Sequence, residues 1–190
     1  MEWNYIVKTA VTLFVVLDPL GNAPIVQSIL EDVPNARRMR ILVRELVFVL
    51  ILLLLFFFAG STILDYLGIG KETLSISGGI MLFLIAVSMV FPGTSVVSNN
   101  GAGDHARTYE PFIVPVAVPL IVGPAAIALV MMQSSLSNNA VQMGTHILSI
   151  VLAWGTTAVL LVFCSKILSY LGQTGTVAMT RLMGTLLVLI

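Results

Sequence analysis

Charge is what this chain has least of. Only 9% of its 190 residues are Asp, Glu, Lys or Arg, nine of each sign, and the net charge is zero. A soluble domain carries about 25%, so this chain has too few charges to clothe a surface in water. Basic runs are missing beyond Arg37, Arg38 and Arg40, which argues against nucleic acid as a partner. Cysteine occurs once, at Cys164, so no intramolecular disulfide can form, and with two scattered histidines it makes no metal-ligand spacing. Neither Gly-x-Ser-x-Gly nor His-Glu-x-x-His occurs, and no two acids stand paired at membrane depth. Hydrolytic chemistry therefore lacks its nucleophile and base. The chain is read as no enzyme, with no cofactor and no metal. The N-terminus lacks a basic stretch and a small-residue cleavage site, so its first apolar segment is expected to be retained.

What the chain has is apolar length: 58% hydrophobic residues and a mean hydropathy of +1.05. Six apolar segments run at about 5–30, 41–67, 72–91, 111–133, 142–171 and from 176 onward. A bilayer crossing takes roughly 20 apolar residues, so a multi-pass protein of the lipid bilayer is expected. A polar stretch rich in Gly, Ser and Asn, 92–110, reads as a linker loop on the cytoplasmic side. It divides the chain into halves at 1–91 and 111–190, with three segments each. Arg37, Arg38, Arg40 and Arg44 crowd the first connection, Arg107 the third, and Lys166 and Arg181 flank the fifth. By the positive-inside rule these connections are cytoplasmic and both termini lie outside. Three crossings per half make the halves enter from opposite sides, which is an inverted repeat. The last segment, Thr176–Ile190, would span only about 22 Å of a ~30 Å core; its helix is expected to continue past Ile190.

The first segment carries an acid, a glycine and two prolines in its middle: Leu17-Asp18-Pro19-Leu20-Gly21-Asn22-Ala23-Pro24-Ile25. Asp18 falls about 21 Å along a helix from Asn4. Charge at membrane depth costs at least ~2.5–3.5 kcal/mol, and each proline removes a helical hydrogen bond. Backbone broken in hydrocarbon persists only inside protein or beside a cavity. The fourth segment repeats the form, with Pro119-Leu120 and Gly123-Pro124 matching Pro19-Leu20 and Ala23-Pro24 at an offset of 100 positions. Paired breaks in corresponding segments point to a transporter's binding site; two ordinary proline kinks are the plainer reading.

These residues resemble the signature of the MarC family, which includes the SnatA small neutral amino acid transporters. Arg44-Glu45, Ser75-Ile76-Ser77-Gly78-Gly79-Ile80, Glu110-Pro111-Phe112-Ile113-Val114-Pro115, Pro119-Leu120 with Gly123-Pro124, and Arg181-Leu182-Met183-Gly184 extend the likeness along nearly the whole chain. The resemblance implies a LysE-superfamily fold: an all-α membrane protein with six transmembrane helices in two inverted three-helix repeats, the first helix of each repeat broken. It also implies transport of glycine, alanine and similar amino acids across the cell inner membrane. A channel or sensor for another solute is the alternative.

An amino acid carries a carboxylate and an ammonium. Half-helix N-termini suit the first and freed carbonyls the second. Asp18, Pro19, Leu20, Gly21, Asn22, Ala23 and Pro24 on one side, and Pro119, Leu120, Gly123, Pro124 and Ala125 on the other, are the expected substrate-binding residues, with Ser77, Gly78 and Gly79 of the third segment. Pro24 and Pro124 are expected in the first turn of the following half-helix, with breaks over 18–24 and 119–124. Three roles are open to Asp18, which reads as the one deep acid: helix cap, partner of substrate or proton, and member of an ion pair. Proton coupling is open for the same reason. Ser75 and Gly79, four apart, read as a close-packing face. Arg44 and Glu45 are neighbours that cannot share a helix face and are expected to take separate partners, either at the interface or, with Arg181, as a gate. His146 carries no role.

Overall fold

The computed structural model describes residues 2–31, 33–91, 122–137 and 139–189. Among these residues every element is an α-helix: α1 Glu2–Leu17, α2 Pro19–Glu31, α3 Asn35–Leu67, α4 Lys71–Val90, α5 Pro124–Ser135 and α6 Ala140–Val188. The linker 92–110, and with it Pro119 and Leu120, lies outside the described residues. Among the described residues, four stretches are long and apolar enough to cross a membrane: Trp3–Gln27 over α1 and α2, Arg37–Leu67, Glu72–Val90 and Ala140–Cys164; the apolar α5 is shorter.

The 49 residues of α6 would reach about 74 Å if straight, more than twice a ~30 Å core. Gly172 prevents this. Its φ of 64° and ψ of −177° interrupt the helix, in a region essentially reserved for glycine. Two arms result, 140–171 and 173–188, where the sequence shows its fifth and sixth apolar segments. At the end of α3, Gly68 is also left-handed, and its N–H returns to Asp65 O and Leu64 O. That closes the orphan carbonyls of the last turn, and Gly70 then caps α4.

Hydrocarbon gives helices no hydrophobic reason to associate, so close approach and hydrogen bonds hold them together. Along α3, Leu42, Leu46, Val49, Leu53 and Phe57 are buried, and Ile150, Ala153, Leu161 and Cys164 of α6 join them in one core. Trp154 Nε1 donates to Leu46 O at 2.7 Å, and the rings of Phe57 and His146 lie 6.2 Å apart. Higher numbers on α3 meet lower numbers on α6, so the two run antiparallel. Ser149 Oγ reaches Ile6 O at 3.2 Å, whereas Leu20 and Ala23 meet Leu160 and Cys164. Thus α1 and α2 run parallel to the first arm of α6. A short connection, 136–139, holds the end of α5 near the start of α6, so α5 points opposite to α1. The second arm of α6 lies tightly on α4: a Cβ on Gly184 would stand 3.0 Å from Ala86 O, Met89 Cβ and Val90 Cγ2.

Candidate functional site

The first segment breaks at one residue. Asp18 has φ 44°, a left-handed conformation that costs most L-residues energy and that Asp and Asn tolerate best. Its N–H closes α1 on Phe14 O and Val15 O at 3.2 and 3.1 Å, and its carbonyl accepts from Asn22 N–H at 3.0 Å. Gly21 N–H donates to Asp18 Oδ1 at 3.1 Å. That is an N-cap bonded to the third residue of α2, with Pro19 first in line where no N–H is lost. From the other side, Asn22 Nδ2 donates to Leu17 O at 3.1 Å, satisfying one terminal carbonyl of α1. Asp18 and Asn22 together sew the two half-helices.

The break is therefore narrower than the expected 18–24. Pro24 lies inside α2, as its sixth residue and not in its first turn, where it has no N–H to give Leu20 O. Gly21 is confined: a Cβ there would overlap the Asp18 carboxylate and the Met89 Cε. α5 starts differently. Gly123 is an extended N-cap without a side-chain hydrogen bond, and Pro124 is the first helical residue, as expected. Ala126 N–H and Ile127 N–H both turn back to Gly123 O, which leaves Ala125 as the first-turn donor, buried and without an acceptor among the described residues. A Cβ on Gly123 would meet open space. One start is capped by an acid; the other is not.

Pro19, Leu20 and Ala23 line an apolar pocket with Cys164, Leu168 and Met179, spanning both arms of α6. Its free volume is about 10 Å³, space for about one water. The structure is closed around this break. Of the third-segment residues, only Gly78 faces inward, where a Cβ would stand 3.1 Å from Ala128 Cβ of α5. Ser77 and Gly79 are exposed, as is Ser75, so the close-packing contact is made through Gly78 and not through the Ser75–Gly79 face. Ser77 Oγ bonds its own helix at Leu74 O.

Arg44 and Glu45 do not take separate partners. Arg44 Nε and NH2 both donate to Glu45 Oε1, at 3.2 and 3.0 Å. The long guanidinium side chain curls around the helix to reach its neighbour. Arg181 is exposed on the second arm of α6, beside Val177, Leu182 and Thr185, and the one ion pair among the described residues is Arg44–Glu45. Asp18 is 7% exposed and Glu45 only 1%, so Glu45, read from the sequence as lying near the entry of its segment, is as buried in the fold as Asp18. The heptad stripe signals this in the sequence, for Glu45 falls three residues after Leu42 and four before Val49. Among the described residues, four buried side-chain atoms have no hydrogen-bond partner: Glu45 Oε2, Gln133 Oε1, His146 Nδ1 and Thr157 Oγ1. His146 is buried beside Tyr5, ring centroids 5.6 Å apart, a placement its sequence context does not announce.

Apolar helices of membrane-crossing length around a broken, internally capped segment define a multi-pass helical membrane protein. Residues 3–190 match the model of the MarC family, described as MarC family integral membrane protein, and the chain belongs to that family. It is 47% identical to the UPF0056 inner membrane protein YhgN of Escherichia coli (strain K12), covering 98% of this chain and 91% of that one. A UPF0056 membrane protein of Buchnera aphidicola subsp. Baizongia pistaciae is 40% identical over 97% of this chain and 91% of its own length. The UPF0056 membrane protein MJ0972 of Methanocaldococcus jannaschii is 32% identical over 98% and 83%. No solved structure matches the chain.

Proposed function

We propose that this protein is an inner-membrane carrier of small neutral amino acids, of the glycine, alanine and serine class, working by alternating access between two inverted halves. The observation that carries this reading is the break at Asp18. A membrane segment is interrupted by a charged residue whose bonds serve the interruption itself, and α5 begins on a second Gly-Pro interruption. Discontinuous helices in corresponding positions are a transporter's means of presenting backbone polar groups to a solute.

The packing supports two related halves. α1 and α5 open the two halves and point in opposite directions. α1 lies on α6, the second long helix of the other half, and α5 lies on α3, the second of its own counterpart's half. α4 meets α6 where Gly184 approaches Ala86. A two-fold exchange of first, second and third segments maps each of these contacts onto another or onto itself. The tight, apolar pocket beside Pro19, with space for about one water, leaves no room for a large side chain. The E. coli relative's name, an inner membrane protein, supports the location, and the clustered Arg37, Arg38 and Arg40 support termini on the outer side.

Purified protein in proteoliposomes should take up radiolabelled alanine, glycine and serine with saturation and mutual competition, and leucine or lysine far less. Repeating the assay with an imposed proton gradient reads out coupling. Flux that rises linearly with concentration and ignores competitors would replace the carrier with a channel.

A further inference from the structure

Glu45 holds a buried charge whose bonding is half complete. Its side chain is 2% exposed against 39% for Arg44. Arg44 serves Oε1 twice, and Oε2 has no partner. A buried carboxylate oxygen without a donor is costly, and in a membrane helix such a group marks a solute or ion path. Asp18 cannot fill that role equally, because its carboxylate already caps α2.

A second buried polar group without a partner stands on the facing helix. Trp154 is fixed on Leu46, and one turn further along the antiparallel α6 stands Thr157, fully buried, with its own Oγ1 unpartnered. The register places Thr157 opposite the turn that carries Leu42 and Glu45. One more turn brings Leu160, which meets Leu20 of the capped break. Glu45 and Thr157 therefore stand at about one level, roughly 12 Å along α3 from Arg37, and the start of α2 lies about one to two turns from them.

We infer that the Arg44–Glu45 pair is the seat for a zwitterionic head group, with Glu45 Oε2 and Thr157 Oγ1 accepting from a primary ammonium. Arg44 has five N–H donors and spends only those on Nε and NH2, so the others remain for the solute's carboxylate. A zwitterion on a zwitterionic pair adds no net charge to the layer, and it gives the orphan oxygen the donor it lacks. This inference rests on the amino acid reading above and names the residues that recognise the head group.

The test is thermal stabilisation of the purified protein by alanine, by ethylammonium (ammonium alone) and by lactate (carboxylate and hydroxyl, no ammonium). The parent should bind alanine saturably and about tenfold or more tighter than lactate, the value of one charged hydrogen bond. Glu45→Gln should weaken alanine by a similar factor and erase the preference over lactate, and Thr157→Val should weaken alanine by a smaller factor. Parental alanine binding in Glu45→Gln overturns the inference and leaves the cargo reading standing. A parent that ignores alanine but is stabilised by ethylammonium, with the effect lost in Glu45→Gln, keeps the ammonium seat and removes the amino acid cargo. A parent stabilised by neither removes both. Should Glu45→Gln fail to fold, the parent's alanine-to-lactate ratio decides: equal binding overturns the inference.

Discussion

At Asp18 two demands meet on one side chain. The backbone must turn left-handed to end α1, and an acceptor must wait for the N–H of Gly21. Asparagine satisfies both, because it tolerates that conformation and caps as well as aspartate. Alanine satisfies neither. Asp18→Ala should lose about 2 kcal/mol, roughly 1 from the cap and 1 from the strained φ, and Asp18→Asn should stay within about 0.5 kcal/mol of the parent. Denaturation in mild detergent, followed by circular dichroism, checks both; equal losses in the two variants would assign the work to the negative charge and not to the cap. The single sequence shows Asp-Pro as a helix start, yet it cannot show that Asn22 reaches back to Leu17 O, since that bond exists only once the two half-helices are placed.

Among the elements, α6 depends most on one position. Its two arms part at Gly172, which takes φ 64°, ψ −177°. Gly172→Ala puts a Cβ into a conformation that costs an L-residue of order 1–3 kcal/mol, although space around it is open. The expected result is a lower melting temperature, with the second arm displaced from α4 and Gly184 parted from Ala86. A disulfide between cysteines introduced at Ala86 and Gly184 should then form poorly in the Gly172→Ala background and readily without it. Efficient cross-linking in both would show that the arm docks regardless of the hinge. The gap at 172–175 marks a connection, but a glycine beside apolar runs looks the same whether it packs, kinks or reverses the chain.

On the scale of the whole molecule, the arginines of the first connection predict termini on the outer side. Epitope tags at both ends should be accessible to antibody in intact spheroplasts of a Gram-negative host without permeabilisation, and a tag between Val33 and Arg37 should not. The reverse pattern would invert the orientation and with it the side on which the Arg44–Glu45 layer opens. What the sequence by itself determined is the solvent and the main apolar segments: nine charges of each sign in 190 residues leave only a bilayer to live in, and Pro19, Gly68, Gly123 and Gly172 stand where helices start, stop or bend. It also marked the Asp18-Pro19 break, because a cap and a first-turn proline are local chemistry. Tertiary structure alone decided which acid is left wanting a donor. Asp18 and Glu45 both sit in apolar segments, and only the packed helices bury Glu45 with a bare oxygen. It likewise decided that Gly78, and not Ser75 with Gly79, makes the close helix contact, since which face of an apolar helix meets protein and which meets lipid depends on its neighbours.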